Sequence, residues 1–183
     1  ETEARAVFDS ITYSKGQAVV RMTETYVGED VFRDAMRRFM KEHAYSSATS
    51  ADLWNALDAV SGKAVGAVAS PYAAQPGVPL VIADTRCVDG GQRITLKQDR
   101  FTVRDPAAQP QRWQVPLRFG LPDGTGATVL LDEATEIAAG RCGDAVKLNL
   151  GDVGYYRVRY DAAMQGALAR RLASMAPADR VNL

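Results

Sequence analysis

The sequence holds one histidine, His43, in 183 residues. A His-Glu-x-x-His zinc helix needs two histidines one turn apart, so this chain cannot build one. Cys87 and Cys142 are too far apart for any Cys-x-x-Cys metal or redox motif. Two buried free thiols fit that spacing, and so does a disulfide if the parent protein is exported. Neither sign of charge is in surplus, with 22 basic against 22 acidic residues. Nucleic acid and anionic membranes both attract a basic surplus, so neither is expected as a partner. No apolar run approaches the ~18 residues of a transmembrane helix. Glu1-Thr2-Glu3-Ala4-Arg5 lacks the charged-then-apolar layout of a signal peptide. In a piece of a longer protein, that leaves cytoplasmic and exported (periplasmic) locations equally open.

What is present supports a real core: 46% of the residues are hydrophobic, enough for one large domain or two small ones. The pattern changes near Pro71. Before it the apolar residues recur at helical spacing; after it they alternate. Ser14 to Val27 carries Val19, Met22 and Tyr26 on one stripe, and Gly28 is expected to stop that helix in the left-handed conformation. Glu29 and Asp30 suit the positive end of a second helix, whose stripe is Phe32, Ala35, Met36, Phe39 and Met40. Thr49 with Asp52 reads as a capping box for a third helix burying Leu53, Trp54, Leu57 and Val60 and ending at Gly62. A short helix from Lys63 to Ser70 is expected, interrupted at Gly66.

The second half reads as six or seven short strands, the signature of a β-sandwich. They are expected at Leu80 to Ala83, Gln92 to Lys97, Phe101 to Val103, Trp113 to Phe119, Thr128 to Leu131, Ala145 to Leu150 and Tyr155 to Tyr160. Pro116 confines its strand to an edge or a bulge. Pro122 to Gly126 is a turn, and Gly151-Asp152-Val153-Gly154 is expected to close a hairpin between the last two strands. Tyr155, Arg157 and Arg159 fall on one face of the last strand, and Tyr156, Val158 and Tyr160 on its core face. Asp161 to Met175 returns to a helical pattern.

Four stretches in order carry a resemblance. They are Ile11-Thr12-Tyr13-Ser14-Lys15-Gly16; Gly28-Glu29-x-x-Phe32, leading through His43-Ala44-Tyr45 to Asp52-Leu53-Trp54; Gln75-Pro76-Gly77-Val78-Pro79; and Asn149 with Gly154-Tyr155-Tyr156-Arg157-Val158-x-Tyr160-Asp161. Together they resemble the aminopeptidase N family of zinc metallopeptidases (the gluzincin aminopeptidases). One departure is Tyr72, which stands where that family usually has tryptophan.

The resemblance implies an α+β multidomain fragment. Residues 1–70 would be the C-terminal helices of a thermolysin-like catalytic domain. Residues 71–160 would form an antiparallel β-sandwich, and residues 161–183 the first helix of a C-terminal helical domain. Zinc would belong to the parent enzyme, with peptides as its substrates, and no metal is expected on this chain. The missing catalytic half and the helical domain would be its structural partners.

The resemblance also implies one catalytic residue, Tyr13. In peptide hydrolysis negative charge builds on the scissile carbonyl oxygen, and a tyrosine hydroxyl aimed there stabilises that charge. A phenol, which ordinarily titrates near ~10, is a neutral donor at pH 7. Tyr13 is expected just before a helix, with Lys15 structural and Gly16 allowing close helix packing. Lone His43, near a helix end, reads as a cap and not as a ligand. Glu29-Asp30 and Asp132-Glu133 read as solvated surface. A second reading, in which the sandwich is a non-catalytic binding or spacer module on a helical scaffold, also fits charge balance and many short strands.

Overall fold

The computed structural model describes residues 10–103, 108–122, 124 and 126–183. Residues 1–9, and Asp123 and Thr125 of the expected turn, lie outside the described residues. The chain divides into two compact units, one running through Pro76 and the other Gly77–Leu183.

The first unit is helical: α1 (Ser10–Val27), α2 (Glu29–Glu42), α3 (Ser50–Ser61) and α4 (Val65–Ala74). On α1, Val19 and Met22 are buried, and so is Thr23, whose hydroxyl donates to the Val19 carbonyl at 2.8 Å. Gly28 separates α1 from α2 with a positive φ of 97°, but its ψ of 148° places it outside the expected left-handed helical region. The α3 cap forms as read. The Thr49 hydroxyl accepts from the Asp52 N–H at 3.3 Å, and Asp52 accepts from the Thr49 N–H at 2.8 Å. The Thr49 hydroxyl also donates to the Asp52 carboxylate at 2.7 Å, and the bonds donated by the Thr49 N–H and hydroxyl hold that carboxyl below its ordinary pKa. Gly62 ends α3 at φ 66°, where only glycine is comfortable. The interior gathers Ala35, Leu57 and Val65, with Val27, Phe32, Leu53, Trp54 and Val60 against them.

Three expectations for these helices change. Among the described residues helix α1 is already present at Ser10, ahead of the expected Ser14, over a stretch without proline or glycine. Helix α4 runs through Pro71 to Ala74. A proline inside a helix removes a backbone bond and ordinarily costs about 3 kcal/mol. The apolar face of Val65, Val68, Ala69 and Tyr72, all buried, holds the helix together past it. Met40, expected on the buried stripe of α2, is instead 64% exposed.

The second unit holds two sheets. One has the order β5-β2-β1-β7 and the other β4-β3-β6. The strands are β1 (Val78–Val88), β2 (Gly91–Phe101), β3 (Val115–Gly120), β4 (Gly126–Leu131), β5 (Ala134–Arg141), β6 (Lys147–Leu148) and β7 (Arg157–Tyr160). Neighbours pair antiparallel except β1 and β7, which run parallel. Val81, Ala83, Ile94 and Leu96 of the first sheet are buried, as are Val115, Leu117, Leu131 and Leu148 of the second. Two side chains tie the sheets. The Tyr160 hydroxyl accepts from the Leu148 N–H at 2.9 Å and donates to the Leu148 carbonyl at 3.1 Å. The Gln98 carboxamide takes both backbone groups of Trp113, at 2.7 and 3.0 Å.

The strand reading is corrected in four places. Phe101 ends β2 and no separate strand follows it to Val103. Strand β5 was not expected: Ala, Glu and Gly give it little strand propensity, and only Ile137 and Ala139 turn inward. Strands β6 and β7 form no hairpin, because they lie in different sheets and residues 151–154 cross between them. Pro116 sits in the central strand of its sheet, yet β6 pairs only with Phe119 and Gly120. Pro116 therefore lies where β3 has one neighbour, β4, so locally it stands at an edge, as a strand proline does. Along residues 155–160 the expected faces hold for Tyr156, buried, Val158 and Tyr160, half-buried, and Arg157 and Arg159, exposed, whereas Tyr155, expected with the arginines, is half-buried.

Helix α5 (Ala162–Arg171) follows β7, then a 3-10 turn (Leu172–Ser174) and α6 (Pro177–Val181). Asp161 caps α5 by accepting from the Met164 N–H at 2.8 Å, and it also accepts from the N–H and hydroxyl of Thr85 on β1. Partial burial pushes its pKa up, but the bonds from Met164, Thr85 and Ala163 outweigh that and hold it below the ordinary aspartate value. A depressed carboxyl stabilises the fold above its unfolded pKa and stops doing so as pH falls through the folded one. Asp161→Ala is therefore expected to cost about 2 kcal/mol at pH 7. Urea titrations should show that gap closing as pH falls below the ordinary aspartate range, where the wild-type carboxyl is itself protonated.

Candidate functional site

Tyr13 lies in the first turn of α1, inside the helix and not before it. Its ring is 63% exposed. Two residues on, the Lys15 ammonium donates to the Gln75 carbonyl at the end of α4, at 3.5 Å. That contact gives Lys15 the structural role the sequence suggested. Gly16 does not: a Cβ there would meet nothing within 4 Å, so no close helix packing depends on it. Gly16 instead borders a cavity of about 560 Å³ between α1, α3 and α4. Its walls are mostly apolar, from Val19, Val20, Leu53, Trp54 and Tyr72, with Lys15 at its edge. Tyr72 is buried, and desolvation drives its hydroxyl pKa well above the ordinary value, so it stays a neutral phenol.

His43 is the C-cap residue of α2. Its N–H donates to the Phe39 carbonyl at 3.1 Å and its ring lies 5.2 Å from the Phe39 ring. Glu29 and Asp30 open α2, and Asp30 pairs with Arg33 at 2.7 Å. Glu133 pairs with Arg112 on the surface. Cys87 and Cys142 are joined in a disulfide and both are exposed, so of the two states left open by their spacing the structure has the bonded one. Among the described residues no three of His, Cys, Asp and Glu are grouped to hold a metal ion. The described donors therefore do not fit zinc, which needs about four such ligands or three and a water. No helix of the described residues is long and apolar enough to cross a membrane.

Residues 1–72 match the Peptidase family M1 domain. The likeness continues beyond that stretch. Puromycin-sensitive aminopeptidase of Caenorhabditis elegans is 36% identical over 191 aligned positions, covering 99% of this chain and 20% of that protein. Tricorn protease-interacting factor F2 of Thermoplasma acidophilum is 33% identical over 181, covering 99% of this chain and 22% of that protein. The chain belongs to peptidase family M1. Aminopeptidase M1 of Arabidopsis thaliana is 32% identical over 201 positions, again covering 99% of this chain and 22% of that protein. The M1 chain described here thus spans about a fifth of the relatives it matches.

Two features of this M1 segment escaped the sequence reading, and both lie in the second unit. One is a buried ion pair. Lys147 is wholly buried, donates to the Leu148 carbonyl at 2.8 Å, and lies 4.0 Å from Asp179 of α6, itself nearly buried. Desolvation lowers the Lys147 pKa, and Asp179 and Asp152 partly restore it. A lysine flanked by Val146 and Leu148 in an apolar run was the available signal. The other is Asn149, whose side chain takes both backbone groups of Gly154: Oδ1 accepts from the N–H at 2.8 Å and Nδ2 donates to the carbonyl at 3.0 Å. These bonds give the fourth motif its physical content, since Asn149 and Gly154 are one strapped loop.

Proposed function

We propose that the whole protein is a zinc-dependent aminopeptidase that removes N-terminal residues from peptides, and that this chain alone is inactive. The observation that supports it most is the match of residues 1–72 to the M1 domain, joined to a likeness to aminopeptidases along nearly the whole chain. Those relatives are named as peptidases, which disfavours a stand-alone binding module. The described residues offer no zinc ligand set, so the metal's chemistry is assigned to sequence outside this chain. In the same reading, residues 1–70 end the catalytic domain, 71–160 form the sandwich and 161–183 open a helical domain.

The chemical contribution of this chain is Tyr13. Its hydroxyl would donate a hydrogen bond to the oxygen that gains charge as the scissile carbonyl is attacked. Such a bond strengthens as charge develops, so it lowers the barrier more than it tightens substrate. A helix is a rigid mount for a group that must be placed to within about half an ångström. In the full-length protein, Tyr13→Phe is expected to lower kcat on aminoacyl-arylamides by about 100- to 1000-fold with little change in KM or zinc content. An unchanged kcat would make Tyr13 a surface aromatic and remove the catalytic role assigned to it.

A further inference from the structure

We propose that the Cys87–Cys142 bond is a solvent-reachable redox staple, opened and reclosed by thiol–disulfide exchange while the sandwich around it stays folded. Three observations carry this. Both cysteines are exposed, and they line a recess of about 220 Å³ together with Thr85, Gln92, Asp144 and Met164. A small thiol can therefore approach the sulfurs from solvent. Next, the bond joins strands that are not neighbours. Cys87 of β1 lies opposite Gln92 of β2, and Arg141, just before Cys142, lies opposite Gly91. The staple thus spans β2 and fixes β1 to the end of β5.

The third observation is that the turn after β5 is held without the sulfurs. Gln92, nearly buried, donates to the carbonyls of Ala139 at 3.4 Å and Asp144 at 3.1 Å, and accepts from the Gly143 N–H at 3.3 Å. The Cys142 N–H donates to the Gly90 carbonyl at 3.1 Å, and the Arg141 N–H to Asp144 at 2.8 Å. These bonds keep the two sulfurs side by side after reduction, so closing needs no search through the chain.

The exchange balances. One thiolate of a dithiol attacks a cysteine sulfur and releases the other cysteine as a thiolate. The second thiol of the reagent then displaces the first cysteine. Two electrons and two protons pass to the chain, and the reagent leaves as a disulfide. Reclosure returns them to an oxidised thiol such as oxidised glutathione. The closed bond restricts the unfolded chain across a separation of 55 residues. Opening it is expected to raise the unfolded-to-folded ratio of the sandwich about a thousandfold. Full stability of this unit therefore belongs to an oxidising compartment.

The test uses the 183-residue chain with Trp54→Phe, so that Trp113 alone reports on the sandwich. The folded protein is treated with dithiothreitol, then N-ethylmaleimide, and weighed by mass spectrometry. Two maleimides per chain are expected in native buffer, at a rate proportional to dithiothreitol. The Trp113 urea midpoint should fall on reduction, match that of Cys87→Ser/Cys142→Ser, and recover with oxidised glutathione. Gln92→Ala should slow that recovery. Labelling at a rate independent of dithiothreitol, as global unfolding would give, overturns the proposal. So does an unchanged urea midpoint in the reduced chain.

Discussion

Asp179→Ala should cost about 3–5 kcal/mol in the second unit, because it strands a charge in the interior. Lys147 has no exposed surface, its ion-pair partner is the carboxylate 4.0 Å away, and Asp152 is left as a weaker acidic neighbour. The mutation also removes the acceptor of the Gly151 N–H, which Asp179 holds at 2.7 Å. The pair itself contributes far less than its rupture costs, since both ions were taken out of water to form it. Replacing both, as Lys147→Met/Asp179→Leu, should therefore recover most of the loss. The pH dependence follows from the lowered Lys147 pKa. Between that pKa and the ordinary lysine value, the unfolded chain holds more protons than the folded one, so stability rises with pH across that window. Lys147→Met should remove the rise. Urea unfolding followed by Trp113 fluorescence, at neutral and alkaline pH, measures all three.

Gly154→Ala is expected to cost about 3 kcal/mol, at the upper end of the range for overpacking. A Cβ at residue 154 would lie 2.0 Å from Cε1 of Tyr156 and 2.8 Å from its Cδ1. The ring is buried, so it cannot move off without disturbing its packing. The backbone cannot swing away either, because Asn149 grips both the N–H and the carbonyl of Gly154. The clash should be largely relieved in a Tyr156→Leu background, where adding Gly154→Ala costs much less than it does alone. That non-additivity separates a steric clash from a general loss of loop freedom. Equal costs in both backgrounds would place the effect in the backbone.

Helical structure was the more legible part of the sequence because its signals are local. Thr49 with Asp52 and the stop at Gly62 each act within one turn, and each forms as read. Pro71 misled for a related reason. A local breaker was outweighed by the buried face around Tyr72, which no window of sequence reveals. The strands were legible where alternation was strong, as at Val81 to Ala83 and Ile94 to Leu96. Strand β5, poor in strand formers, takes its place from pairing with β2. The crossing at residues 151–154 looked like a hairpin because turn residues do not state which sheet receives the next strand. Lys147 with Asp179 was hidden by separation along the chain, and so was the state of Cys87 and Cys142. The role proposed for Tyr13 rests only on the resemblance, since one tyrosine on a helix carries no catalytic signal of its own.

We propose above that this chain is a catalytically incomplete part of an aminopeptidase. The most direct test measures zinc content and aminoacyl-arylamide hydrolysis on the 183-residue chain and on the full-length protein in parallel. Stoichiometric zinc and turnover are expected in the full-length protein, and neither in the chain alone. Stoichiometric zinc on the chain, or hydrolysis that survives its repurification, would contradict the proposal.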